Sequence, residues 1–226
     1  MRVSVLMAAC DAECYVAEAI DSVLGQSRPP DEIIVVDDGS RDRTRAIVEG
    51  YGSRVICLSQ PNRGQAAALN RAITVAAGDV FGFLDADDLW SANKLERQIA
   101  ILEADDRVDA VFGLVRQFVS PDVPQNRRAS LSPKHEILIG ETKICLLIRR
   151  VAYERIGPLD ETLAATSFIE WLGRAKRQGL NSVTPDEIVA LRRLHLANGG
   201  RTNATNQNEE TLLALKRVIA ARRASR

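Results

Sequence analysis

The chain has 226 residues, 46% of them hydrophobic, which is long enough for one sizeable core and short for two, so a single domain over residues 1–226 is expected. Lys and Arg total 30, as do Asp and Glu, so there is no whole-chain electrostatic case for binding nucleic acid. The apolar segments are strand-length and broken by charge, and Met1-Arg2-Val3-Ser4 opens straight into strand-like sequence without a signal-peptide layout, so the reading is a soluble, cytoplasmic protein.

In chain order, an apolar run at residues 3–7 predicts a strand, and Val16, Ile20, Val23 and Leu24 recur at helical spacing behind it. Pro29-Pro30 stops that helix, residues 33–36 predict a second strand, and residues 43–49 a helix after the Gly39-Ser40 turn. A third strand is expected at 55–58, an alanine-rich helix at 65–77 closed by Gly78, and a fourth strand at 80–84. Ser91 is a candidate cap for a helix carrying Leu95, Ile99 and Leu102, followed by a strand at 110–115. Residues 120–133, with Pro121, Pro124 and Pro133, read as a long loop. A strand at 144–148, a helix at about 168–178, a strand near 188–191, a polar loop at 198–208 and an amphipathic C-terminal helix within 208–226 complete the reading. Repeated strand-helix alternation predicts an α/β fold with a doubly wound, mostly parallel sheet whose ligands lie beyond the carboxyl ends of the strands. Cys10, Cys14, Cys57 and Cys145 lack metal-ligand spacing and are expected as buried or partly buried free thiols.

Two acidic clusters stand at those strand ends. Asp37-Asp38-Gly39-Ser40 follows the second strand, and Asp85-Ala86-Asp87-Asp88 follows the fourth. Carboxylates this close repel one another unless a hard cation or a cationic group neutralises them, so the second cluster asks for a metal.

With these motifs the chain resembles the family 2 glycosyltransferases of the GT-A fold, which move a sugar from a nucleotide-sugar donor with inversion at the anomeric carbon. The resemblance rests on Val3-Ser4-Val5 with Tyr15 and Ser22-Val23-Leu24-Gly25-Gln26, on Val36-Asp37-Asp38-Gly39-Ser40 with Asp42 and Thr44, on Gln60-Pro61-Asn62-Arg63-Gly64 with Ala68 and Asn70, and on Asp85-Ala86-Asp87-Asp88. It thins downstream to Gly157-Pro158-Leu159-Asp160-Glu161, Trp171, Arg174 and Leu191-Arg192-Arg193-Leu194-His195 with Asn198.

The resemblance implies a donor-binding half at 1–90, an acceptor half at 91–200, and a donor that is a nucleotide-diphosphate sugar, UDP-linked by preference. It implies that Asp38 accepts a hydrogen bond from a pyrimidine base and that Asp37 orders the same turn. Ala8, Asp11, Gly64, Asn70 and Ala86 fall on donor-binding positions of the matched motifs. Asp85 is implied as a ribose or metal-shell ligand, Asp87 as the residue holding Mg2+ or Mn2+ on the diphosphate, and His195 as a further metal or diphosphate ligand.

Three departures stand out. Ala8-Ala9-Cys10-Asp11 replaces the Pro-x-Tyr-Asn of many relatives, so an aromatic ring that could pack on the base is missing. Alignment on Trp171 and Arg174 puts Ser167-Phe168 where many relatives carry the Glu-Asp pair of the general base; against relatives reading Glu-Phe-Ile-Asp-Trp, the surviving carboxylate is Glu170. Ser167-x-x-Glu170 also reads as a capping box, and both readings stay open. The acceptor half offers little pattern beyond Arg149-Arg150 and Arg192-Arg193, so the acceptor (small molecule, lipid-linked sugar or peptide), peripheral membrane contact and oligomeric state are left open. Two other functions compete with this reading: a non-catalytic sugar-nucleotide-binding protein, suggested by Phe168, and a sugar nucleotidyltransferase, disfavoured because no glycine-rich basic loop follows the first strand.

Overall fold

The structure, a computed structural model, describes residues 1–164 and 166–197. The first half runs β1 (Val3–Ala9), α1 (Val16–Leu24), β2 (Glu32–Asp38), α2 (Thr44–Glu49), β3 (Ile56–Gln60), α3 (Gln65–Val75), β4 (Val80–Asp85) and β5 (Leu89–Trp90). The second half runs α4 (Lys94–Ala104), β6 (Ala110–Val111), β7 (Gly113–Val119), α5 (Gln125–Leu131), β8 (Ile137–Gly140), β9 (Leu147–Arg149), α6 (Arg150–Ile156), α7 (Ser167–Arg177), β10 (Ser182–Val183) and β11 (Ile188–Leu194). The expected loop at 198–208 and the C-terminal helix lie outside the described residues.

Seven strands form one sheet in the order β10-β6-β9-β4-β1-β2-β3. The pairs β1 with β2, β1 with β4 and β2 with β3 are parallel, and β9 alone runs antiparallel, to both β4 and β6. Val5, Leu6 and Met7 of β1, Ile34, Val35 and Val36 of β2, and Phe81 of β4 are essentially inaccessible, because helices cover both faces of the sheet. On α1, Val16, Ala19, Ile20 and Val23 are the buried positions, which are the spacings that make one helical stripe.

The expectation of one sheet is incomplete. β5, β11, β7 and β8 form a second sheet in the order β5-β11-β7-β8. The run read as one strand at 110–115 is two, β6 in the large sheet and β7 in the small one. At the crossing, a Cβ on Gly113 would come within 2.6 Å of the Val189 side chain, so only glycine permits the approach of β11. Four further expectations change. The loop at 120–133 holds the short helix α5. Residues 143–145 form a single 3-10 turn rather than the start of a strand. Ser91 does not cap α4, whose N-cap position is Asn93; its hydroxyl donates to the Ile188 carbonyl at 2.8 Å instead. Cys10 and Cys14 are exposed, while Cys57 is half-buried and Cys145 buried; all four are free thiols.

No helix among the described residues is long and apolar enough to cross a membrane.

Candidate active site

The chain leaves β1 towards β2 and β3 on one side and returns to β4 on the other, so the carboxyl ends of β1 and β4 flank the switch point of the sheet, where ligands of open α/β sheets bind. In register, Ala8 lies between Val36 and Asp85, and Ala9 lies beside Asp37. The two acidic clusters, 48 residues apart from Asp37 to Asp85 in sequence, are thereby brought to one edge.

The Asp37-Asp38 corner is a braced structure. Asp38 is buried, and its Oδ1 accepts from Gln60 Nε2 at 2.8 Å and from the Arg63 backbone N–H at 2.9 Å, while Oδ2 accepts from the Gly64 N–H at 2.8 Å. The carboxylate thus ties residues 60–64 to the end of β2. Gly39 adopts φ +75°, and a Cβ there would meet the Asn62 nitrogen at 2.7 Å, so the turn needs its glycine. Asp37 is also buried; Ser59 Oγ lies 3.5 Å from its Oδ2, and Oδ1 has no hydrogen-bond partner among the described residues. Asp11, at φ 48°, fastens the same corner from β1: its N–H donates to Ser40 Oγ at 3.0 Å and its Oδ1 accepts from the Arg41 N–H at 2.7 Å. Cys10 has its Sγ 3.2 Å from Asn62 Nδ2. Gly64 (φ +89°) opens α3 with open space around it, and Ala86 is buried within the acidic turn. Asn70 has a bracing role: its Nδ2 donates to the Leu159 carbonyl at 2.9 Å and to Glu161 Oε1 at 3.0 Å, and its Oδ1 accepts from the Leu159 N–H at 3.0 Å.

The second cluster is built differently. One oxygen each from Asp85, Asp87 and Asp88 lies within 4.8 Å of the others, and the turn is closed by the Asp88 N–H donating to the Asp85 carbonyl at 3.1 Å. Asp85 Oδ1 accepts from Gln65 Nε2 at 2.9 Å, and its Oδ2 pairs with Lys143 Nζ at 2.8 Å. The antiparallel pairing of β5 with β11 lays residues 193–195 beside this turn. His195 Nε2 stands 3.0 Å from Asp87 Oδ2, and the Arg193 N–H donates to Asp88 Oδ1 at 2.8 Å. Behind His195 lies the Tyr15 ring, with centroids 4.5 Å apart; Tyr15 donates its hydroxyl to Asp122 Oδ2 at 2.7 Å.

Two carboxyls of this turn are shifted in opposite directions. Burial pushes Asp87 upward, but the hydrogen bond and charge of His195 outweigh it and hold the group below the ordinary carboxylate value. Burial, reinforced by the charges of Asp87 and Asp85, pushes Asp88 well above that value. Asp88 is therefore the member of the turn that holds its proton more readily, and Asp87 the one that gives it up more readily. Hard oxygen donors at this spacing, with an imidazole at the edge, fit Mg2+ or Mn2+.

Glu170 lies in the first turn of α7, half-buried, with its Oε2 3.3 Å from Arg174 Nη2. The capping-box reading fails: the N-cap is Thr166, Ser167 is already helical, and no side chain caps the helix. Among the described residues Glu170 makes no hydrogen bond or ion pair with the acidic turn. Arg174 also donates to the Ile156 and Pro158 carbonyls, at 2.9 and 2.6 Å, so Glu170 belongs to a bridge between α7 and the loop after α6.

The sequence profile described as Glycosyl transferase family 2 matches residues 4–157. The chain belongs to the family 2 glycosyltransferases. An uncharacterized glycosyltransferase of Rickettsia typhi, RT0329, is 35% identical over 223 residues, covering 92% of this chain and 68% of that protein. The mannosyltransferase PcManGT of Pyrobaculum calidifontis, solved in complex with GDP-Man and Mn2+, superposes with a TM-score of 0.71 at 21% identity over 97% of this chain and 64% of its own. S. aureus TarS residues 1–349, solved in complex with UDP-GlcNAc, superposes with a TM-score of 0.68 at 20% identity over 88% of this chain and 60% of its own. The fold is thus GT-A, and the chain spans about two thirds of the length of these relatives.

Within this family 2 glycosyltransferase, sequence reasoning missed Lys143 and Gln65 as parts of the acidic site and gave Asp88 no role of its own. Asp88 was legible as a third carboxylate. Lys143 and Gln65 carry no motif, and only the packing of the 143–145 turn and of α3 against β4 places them.

Proposed function

We propose that this chain transfers a sugar, with inversion, from a nucleoside-diphosphate sugar to an acceptor hydroxyl, with Asp85 and Asp87 holding a divalent cation on the donor diphosphate. The observation that carries the reading is the acidic turn at the end of β4, packed against His195 at the switch point of the sheet. The family membership supports the reaction class, and the ligands of PcManGT and TarS support the donor class. A divalent ion bound there would supply Lewis-acid compensation for the charge on the departing diphosphate.

The chain's own groups do the rest. Asp38 fixes the loop at 60–64, and its Oδ2, which accepts one bond, keeps a lone pair for a base N–H, with uracil the preferred base. Asp87 is ionised and ready to take a cation, and His195 holds it in place. Glu170 is proposed as the base that takes the acceptor proton as the hydroxyl attacks the anomeric carbon, positioning and leaving-group stabilisation supplying most of the acceleration. The protein is proposed to work in the cytoplasm.

The test is a panel of nucleotide sugars with and without Mn2+, read by thermal shift and calorimetry. The right donor raises the melting temperature in a concentration-dependent way. Asp87→Ala is expected to abolish the increment that Mn2+ adds to nucleoside-diphosphate binding; an unchanged increment removes Asp87 as a ligand.

A further inference from the structure

Lys143 is not a surface lysine that happens to reach a carboxylate. Its turn is bolted to the core by buried groups of β5 and α4: the Ile144 carbonyl accepts from Trp90 Nε1 at 2.9 Å, and the Cys145 carbonyl accepts from Gln98 Nε2 at 2.8 Å and Lys94 Nζ at 3.1 Å. Lys94 and Gln98, which also bond one another, are almost completely inaccessible, so the backbone at 144–145 has little freedom. That anchorage aims the Lys143 ammonium at Asp85 Oδ2, with side chains only 17% and 23% exposed. The same charge also acts on Asp87. Asp85 Oδ1 accepts from Gln65 and Oδ2 from Lys143, so both oxygens already carry a donor, and a cation meeting Asp85 meets the ammonium with it.

Resting on the reading above, we propose that Lys143 is a built-in competitor for the divalent cation at Asp85. In the metal-free protein its ammonium offsets part of the negative charge of the acidic turn. A cation arriving alone meets both an occupied oxygen and a like charge at contact distance, so it binds weakly. A cation arriving with a nucleoside diphosphate brings negative charge that the released ammonium can pair with, so displacement is compensated only when the donor comes too. Lys143 thereby makes metal binding and donor binding depend on each other, and the same coupling acts in both directions.

The experiment measures Mn2+ binding by EPR and calorimetry, with and without UDP, in wild type, Lys143→Met, Lys143→Arg and Asp87→Ala, with melting temperatures alongside. Lys143→Met is expected to bind Mn2+ alone about 5-fold more tightly, the worth of one displaced ion pair, and to gain less from UDP than wild type does. Lys143→Arg keeps the cation and is expected to behave like wild type. If Lys143→Met binds Mn2+ alone no more tightly than wild type, while Asp87→Ala still abolishes binding, the competitor role is overturned and the metal reading stands. If Lys143→Met instead lowers both the melting temperature and Mn2+ affinity, Lys143 only props the turn and the proposal is again overturned. If no variant differs from Asp87→Ala with or without UDP, the metal reading falls and takes this inference with it.

Discussion

The two acidic corners look alike in sequence, each an apolar strand ending in paired aspartates, yet they are held in opposite ways. At Asp38 two of the three bonds come from backbone N–H groups of the loop at 60–64, which cannot leave without unmaking the loop. Among the described residues, the side-chain partners of Asp85 and Asp87 include the long side chains of Gln65 and Lys143 and the ring of His195, none of them a backbone group. A carboxylate satisfied by backbone is structural wherever else it acts; one balanced by a side-chain cation can exchange that cation for a ligand. Glu170, paired with the side chain of Arg174, falls in the second class.

Four measurements can break or sharpen this contrast. Asp38→Ala removes the acceptor for three donors in a buried corner and is expected to lose about 3 kcal/mol of stability in urea unfolding, at roughly 1 kcal/mol per stranded donor. A loss under about 1 kcal/mol would show that the loop at 60–64 does not depend on it.

Glu170→Gln keeps the shape of the side chain and a hydrogen bond to Arg174, which stays anchored on two carbonyls. Transfer is expected to fall about 100-fold or more while the melting temperature hardly moves. Wild-type turnover in a single-turnover assay would remove Glu170 as the base.

Lys94 extends the contrast to pH. It is fully buried, and burial pushes its ammonium down to about 7 from an ordinary 10.5. Between those values the unfolded chain binds a proton that the folded chain has lost, so this group makes stability rise with pH through the window, by at most about 1.4 kcal/mol per unit. Below the lower value both states are protonated and the slope vanishes. Urea midpoints at pH 7 and pH 9 should differ in wild type, and Lys94→Met should remove that part of the difference; an identical slope in the variant would place the titration elsewhere.

The smallest effect is expected from Asp85→Asn. It breaks a partly exposed ion pair with Lys143 but also relieves repulsion from Asp87, so stability should stay within about 1 kcal/mol of wild type. A loss as large as that of Asp38→Ala would erase the distinction between the two corners.

Much of this protein was legible in its sequence because the signals are local. Continuous apolar runs marked β1, β2 and β4, helical spacing marked α1, α4 and α7, and the acidic clusters at strand ends located the edge of the sheet where a ligand would sit. Family membership followed from motifs that keep their order along the chain. What failed was whatever depends on partners distant in sequence. The division of 110–119 into β6 and β7 is decided by where β11 packs on Gly113, and the strands of the second sheet are either very short, as β5 and β8 are, or broken by charge, as β7 and β11 are. The capping box at Ser167 and Glu170 was a valid local pattern defeated by a helix that starts one residue earlier than the motif needs, and by Arg174 claiming the glutamate. Above all, no spacing rule could join Lys143 to Asp85 across 58 residues. Sequence set which groups carry charge and on which strand ends they stand. Tertiary structure decided which of those charges are locked by backbone and which are balanced by side chains, because a carboxylate's partners are chosen by the packing of elements far away in the chain.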